Sequence, residues 1–105
     1  MSYCRVALKT SDGDVLVLYL PLHADGRYDE EGAQPHLVKA MINRNRKASF
    51  GELLPEGRIV WGGVDQRSIT DLLGQPLTTG RRVVVSSFYD PETPATFIIK
   101  EVTPL

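Results

Sequence analysis

The dipeptide Asp12-Gly13 lies between two apolar runs of different kinds, and this arrangement constrains the fold more than any other feature of the chain. Glycine accepts a positive φ at no steric cost, so Asp-Gly favours the tight turns that join antiparallel strands. Upstream, residues 3–9 alternate: Cys4, Val6 and Leu8 fall on one side, Arg5 and Lys9 on the other. That is the period of two of a strand with one face covered. Downstream, residues 14–20 are apolar on both sides, with Val15, Val17 and Tyr19 on one and Leu16, Leu18 and Leu20 on the other. Such a strand is covered on both faces. The chain therefore opens with a β-hairpin whose second strand is central.

Beyond the hairpin the pattern changes. Residues 21–35 are polar and read as a connection. From Pro35, the positions Leu37, Val38, Met41 and Ile42 recur at helical spacing, which predicts a first helix ending near 43–45. Arg44 and Arg46 then fall in its last turn, where cations complement the helix dipole. Residues 47–57 read as a loop with Phe50, Leu53 and Leu54 turned inward. Residues 58–61 read as a short strand broken by Gly62-Gly63, with Ile59 and Trp61 on one side. A second short helix is expected through about Leu73. Its cap is either Asp65, with Val64 meeting Ile69, or Ser68, with Asp71 three residues later. Ile69, Leu72 and Leu73 form its buried stripe, and Gly74 stops it. Residues 81–88 and 95–103 read as two further strands around a proline-containing turn. The order β-β-α-β-α-β-β predicts an α+β fold. About five mainly antiparallel strands form a sheet or small open barrel with two short helices. A length of 105 residues suits one globular domain over 1–105.

Composition narrows the function. A formal net charge of −1, with 42% hydrophobic and 24% charged residues, is that of an ordinary folded protein not drawn as a whole to nucleic acid or acidic membranes. No basic stretch precedes an apolar run at the N-terminus, and residues 15–22 fall well short of the ~20 a membrane-spanning helix needs. A cytoplasmic protein is expected, without a membrane partner. The single cysteine, Cys4, has no internal disulfide partner and alternates with core positions. His23 and His36 lack metal-ligand spacing, so no metal or cofactor is expected. The acidic loop 25–32 fails as a calcium loop because Arg27 and Glu30 stand where an acidic residue and a glycine are required. Gly62-Gly63 with Arg67 suggests an anion site, but Asp65 would repel an anion there. No serine lies in a Gly-x-Ser-x-Gly or Ser-x-x-Lys context.

One charge cluster remains. Arg44, Arg46 and Lys47 are close in sequence, with Lys39 upstream and Arg58 downstream, and Phe50 and Trp61 nearby as stacking surfaces. Cations interleaved with aromatics make a groove for single-stranded nucleic acid, so Arg44, Arg46, Lys47, Arg58 and Trp61 are the candidate binding residues. The bland alternatives are a solvated helix end for the charges and a core position for Trp61. With the acidic loop elsewhere, the charge signs are segregated, which suits protein recognition. The expected function is a non-enzymatic interaction module that binds a protein partner, with homodimer formation as one form of association. The alternative is a small single-stranded nucleic-acid-binding barrel using residues 39–58. The third is an enzyme with no recognisable motif.

Overall fold

The computed structural model describes residues 2–33, 39–44, 47–62, 66–87 and 94–105. These residues carry eight strands: β1 Ser2–Lys9, β2 Val15–Leu22, β3 Lys39–Arg44, β4 Lys47–Leu53, β5 Arg58–Trp61, β6 Gln66–Thr70, β7 Arg82–Ser87 and β8 Ala95–Pro104. Each pairs antiparallel with the next, and β8 returns to β1, so the sheet closes into a barrel in chain order.

The first hairpin forms as the pattern dictates. Leu8 pairs with Leu16 and Val6 with Leu18. Gly13 takes φ 91° in the connecting turn, and its N–H donates to the Thr10 carbonyl at 3.1 Å. The α+β expectation is overturned, because the described residues contain strands where helices were predicted. Lys39–Arg44 is β3 and Gln66–Thr70 is β6, while residues 34–38, 45–46 and 63–65 of the two predicted helices lie outside the described residues. The 47–57 loop is mostly strand, Lys47–Leu53.

The physical reason is closure. A sheet of five strands would expose unpaired backbone at two edges, whereas β3, β4 and β6 fill the circuit and leave none. Adjacent apolar residues such as Met41 and Ile42 fit a helical stripe, but they equally fit a strand with one side chain on each face. Ile42 packs against the core and Met41 lies opposite Phe50 on the outer wall. In the second segment, Ile69 does not join a buried stripe; it is 45% exposed. Ser68, the expected helix cap, instead accepts a hydrogen bond from the Trp61 indole N–H at 2.9 Å. Asp71 likewise caps no helix. Its carboxylate accepts the Val84 N–H at 2.7 Å and extends the β6–β7 seam.

The interior is filled by side chains rather than left as a lumen, as expected for about eight strands. Val6, Leu8, Leu16, Leu18, Leu20, Ile59, Val83, Phe97 and Ile99 are fully buried in one cluster. Charged Lys9, Glu52, Arg67 and Arg82 are exposed on the outer wall, the reverse of the polarity of a barrel that spans a membrane. No helix of the described residues is long and apolar enough to cross a membrane. A bulge in β8 at Lys100 shifts the β1–β8 register, so that Ala7 faces Glu101 while Leu8 faces Ile99. Bulges of this kind bend a strand, which helps the circuit close.

One end of the barrel is plugged by its connections. Residues 23–33 and 71–81 cross the end where β1 starts and β2 finishes, joined by the Leu77 N–H donating to the Gly26 carbonyl at 2.8 Å. Tyr28, Leu72 and Leu77 enter the core cluster from this side. Thr70 Oγ1 donates to the Gly57 carbonyl at 2.7 Å, tying the β4–β5 turn to the same plug.

Candidate functional site

Of the four candidate binding residues that are described, Arg44 and Lys47 stay together, while Arg58 and Trp61 fall on opposite faces of β5. Arg44 and Lys47 are cross-strand partners where β3 meets β4. Arg46 lies outside the described residues. Arg58 begins β5 at the plugged end, facing outward, with its guanidinium 2.8 Å from the Glu56 carboxylate. Trp61 ends the same strand and faces inward at 7% exposure, its ring 2.9 Å from where a Cβ on Gly51 would stand. The strand's alternation makes this unavoidable: Ile59 and Trp61 share the inner face, Arg58 and Val60 the outer. Trp61 is therefore a core residue and offers no stacking surface.

A cavity of about 520 Å³ opens at the plugged end, between the start of β1, the end of β8 and the two crossing connections. Cys4, Leu22 and Leu77 are buried in its wall, and Ser2, His23, Asp25, Thr78 and Thr79 supply its polar atoms. The pieces of a Cys–His centre thus meet at one cavity, but they are not engaged with each other. The Cys4 thiol donates to the Ser2 carbonyl at 3.6 Å, and His23 Nε2 lies 3.6 Å from Asp29. Asp29 is itself committed to the Gly32 N–H at 2.9 Å. A nucleophile needs a base within hydrogen-bond reach, and no hydrogen bond joins Cys4 to His23. Among the described residues, no three His, Cys, Asp or Glu side chains gather as metal donors.

The outer wall over β3–β6 is the more unusual surface. Phe50 is 65% exposed in the middle of a regular strand, directly opposite Met41 on β3. On the other side its carbonyl accepts the Gly62 N–H at 2.9 Å, so a bare glycine stands beside the ring. In the next outward row, Glu52 on β4, Val60 on β5 and Arg67 on β6 stand side by side. In the row after that, Leu54 is hydrogen-bonded to Arg58, and Arg58 is opposite Ile69. Phe50, Val60 and Ile69 thus form a diagonal line across three strands, at the spacing where long side chains on one face touch. Glu52 and Arg67 flank that line with opposite charge, and both are exposed.

The sequence carries a signal for this face that reading 47–57 as a loop conceals. Phe50 and Leu53 are three residues apart, so in a strand they cannot share a side. Leu53 is buried at 3% and Phe50 is turned out. Phe50 is the correction among the three residues expected inward; Leu54 is only half-buried.

No family model, curated protein or solved structure matches this chain.

Proposed function

We propose that the protein is a non-enzymatic interaction module and that its outer wall over β3–β6 receives another protein. The observation that carries this reading is Phe50, a large aromatic side chain 65% exposed on a hydrogen-bonded strand, with Met41 directly opposite it and Val60 and Ile69 continuing the line across β5 and β6. Single exposed apolar residues are ordinary, but an aligned group rimmed by charges is the composition of a recognition surface. A rigid sheet holds these side chains in place, so little ordering entropy is lost on binding. The nucleic-acid alternative is the weaker fit. Trp61 points into the core, Arg58 is paired with Glu56, and Glu52 stands beside the exposed aromatic residue.

The test is photo-crosslinking in the cells that make the protein, with Phe50 replaced by benzoylphenylalanine. A discrete adduct heavier than the chain and sensitive to protease is expected. The same label at Thr96, exposed on β8, is the control and should give none. Adducts removed by nuclease instead of protease would replace this reading with the nucleic-acid one, and the absence of any adduct at position 50 would sink it.

A further inference from the structure

We propose that the cavity at the plugged end is a binding site for a small uncharged molecule with an apolar body and a hydrogen-bonding head. The site is distinct from the outer wall over β3–β6 and stands whether or not that wall receives a protein.

The bulge in β8 decides what one side of the cavity is made of. Phe97 and Ile99 are buried on the inner face, so unbroken alternation would bring Glu101 inward next. The extra residue at Lys100 shifts the register. Val102 then stands opposite Val6 and Pro104 opposite Cys4, while Glu101 stands opposite Ala7 on the outer face. Directly opposed residues share a face. The cavity therefore receives Val102 and Pro104 where a carboxylate would otherwise point in. Bulges re-aim side chains in this way beside functional sites. The buried side chains of Cys4, Leu22 and Leu77 complete an apolar floor.

The walls are fixed by backbone hydrogen bonds. The Leu77 N–H donates to the Gly26 carbonyl at 2.8 Å and joins the two crossing connections, while the Gly26 N–H donates to the His23 carbonyl at 2.9 Å and closes the first of them. On the other side, the Leu105 N–H donates to the Tyr3 carbonyl at 2.9 Å and holds the end of β8 to β1. A volume of about 520 Å³ between such walls is of the size that takes a small organic molecule, and the mouth of a barrel is a usual place for one.

The rim sets the chemistry of the head. Ser2, Thr78 and Thr79 bring hydroxyls, which both donate and accept, and none of the three is engaged with another described residue. Of the Asp, Glu, Lys and Arg side chains among the described residues, Asp25 alone lines the cavity. Its carboxylate is already met by the Arg27 backbone N–H at 3.1 Å and by Arg27 Nε at 3.6 Å. An ion entering here would leave water for a thiol and aliphatic floor with no free counter-charge, which is costly. An uncharged head exchanges water for the rim hydroxyls and loses little.

The test uses three molecules with one indole body and different heads: tryptophol, an alcohol; tryptamine, a cation near neutral pH; and indoleacetate, an anion. Calorimetric titration should show saturable one-to-one binding of tryptophol, with each charged relative bound several-fold more weakly. Ala24→Trp sets a ring into the cavity from the first connection, and Thr78→Trp sets one from the second. Both positions are exposed, so the melting curves should overlay that of the wild type while tryptophol binding is lost. Should one tryptophan disturb the fold, the other carries the test. Phe50→Thr, on the outer wall, should leave binding unchanged.

No saturable binding of tryptophol up to its solubility overturns the proposal. So does a charged relative that binds as tightly as the alcohol. Binding that survives both tryptophan variants, or that disappears with Phe50→Thr, places the probe elsewhere on the molecule and overturns it as well.

Discussion

Trp61 and Phe50 sit on adjacent strands and differ in almost every consequence of their position. Trp61 is on the inner face at 7% exposure, with its indole N–H satisfied by Ser68 and its ring laid over Gly51. Phe50 is on the outer face at 65% exposure, beside Gly62. Both are aromatic, and both are natural candidates for stacking on a ligand. What divides them is parity: in a closed sheet, each step of one residue moves a side chain from the core to the wall. Residue type says that a ring wants a partner. Register says whether the fold supplies it or leaves it to be supplied from outside.

The contrast is broken most directly by truncating the inner ring. Trp61→Ala should cost about 3–5 kcal/mol, the range for deleting a large packed aromatic residue, read from denaturant midpoints at constant slope. A drop below about 1 kcal/mol would mean that the ring does not fill the barrel end. The two glycines beside the rings sharpen the same contrast. A Cβ on Gly51 would lie 2.7 Å from the Val60 carbonyl oxygen and 2.9 Å from the Trp61 ring, so backbone or indole must move. Gly51→Ala should therefore destabilise by about 1–3 kcal/mol, as overpacked sites do. Gly62→Ala, with its nearest neighbour at 3.5 Å, should change stability by less than about 0.5 kcal/mol, as at an ordinary surface site. Equal effects at the two glycines would remove the distinction between a packed interior and an open wall.

Tyr28 marks where the interior departs from tight complementarity. It enters the plugged end at 5% exposure, and its hydroxyl has no hydrogen-bond partner among the described residues. Burial first, and then the nearby Glu30 carboxylate, push its pKa up to about 12. The sign of the pH dependence follows. The unfolded phenol ionises near 10, while the folded one holds its proton to about 12. The contribution is therefore complete below pH ~10 and is lost as pH rises through that window, where the unfolded state binds fewer protons. Tyr28→Phe should be neutral or stabilising by about 1 kcal/mol at about pH 8, because an unsatisfied buried donor disappears. It should also flatten the decline between about pH 10 and 12 relative to the wild type. A destabilisation of more than about 1 kcal/mol near neutral pH would show that the hydroxyl is satisfied by a buried water.

The first hairpin was legible because its signals are local. Asp12-Gly13 specifies the turn, and the alternation of Cys4, Val6 and Leu8 specifies the covered face. The inward placement of Trp61 was legible for the same reason, from its spacing to Ile59. The two helices were misread because the deciding interaction is not local. Met41 and Ile42, or Ile69 with Leu72, satisfy a helical stripe within a short window. Barrel closure, which joins β8 to β1 across almost the whole chain, is what pulls those segments into the sheet. The same error hid the candidate site. With residues 47–57 as a loop, Phe50 can turn inward beside Leu53. Once they form a strand, the odd spacing sends Phe50 outward, and Glu52 joins it on that face. The charges of the 44–47 run are conspicuous in sequence but carry no information about which surface they would share with an aromatic ring.

A variant with a small expected effect on stability bears most on function. Phe50→Thr keeps a side chain suited to a strand and removes an aromatic ring that the fold leaves largely in water. Among the described residues, the side chain directly opposite the ring is Met41, and such a pair is worth about 0.2–1 kcal/mol. Stability should therefore fall by less than about 1 kcal/mol, several-fold less than for Trp61→Ala on the neighbouring strand. Association through the wall should nevertheless fall sharply, because buried aromatic residues at the centre of an interface carry a disproportionate share of binding energy. The measurement is a paired one: a denaturation curve, and the yield of protein adduct from a benzoylphenylalanine label moved to Val60 on the same wall. A large drop in stability with association unchanged would assign the ring to the fold and leave the wall without a role. Near-native stability with association abolished would identify Phe50 as a side chain whose partner lies outside the barrel.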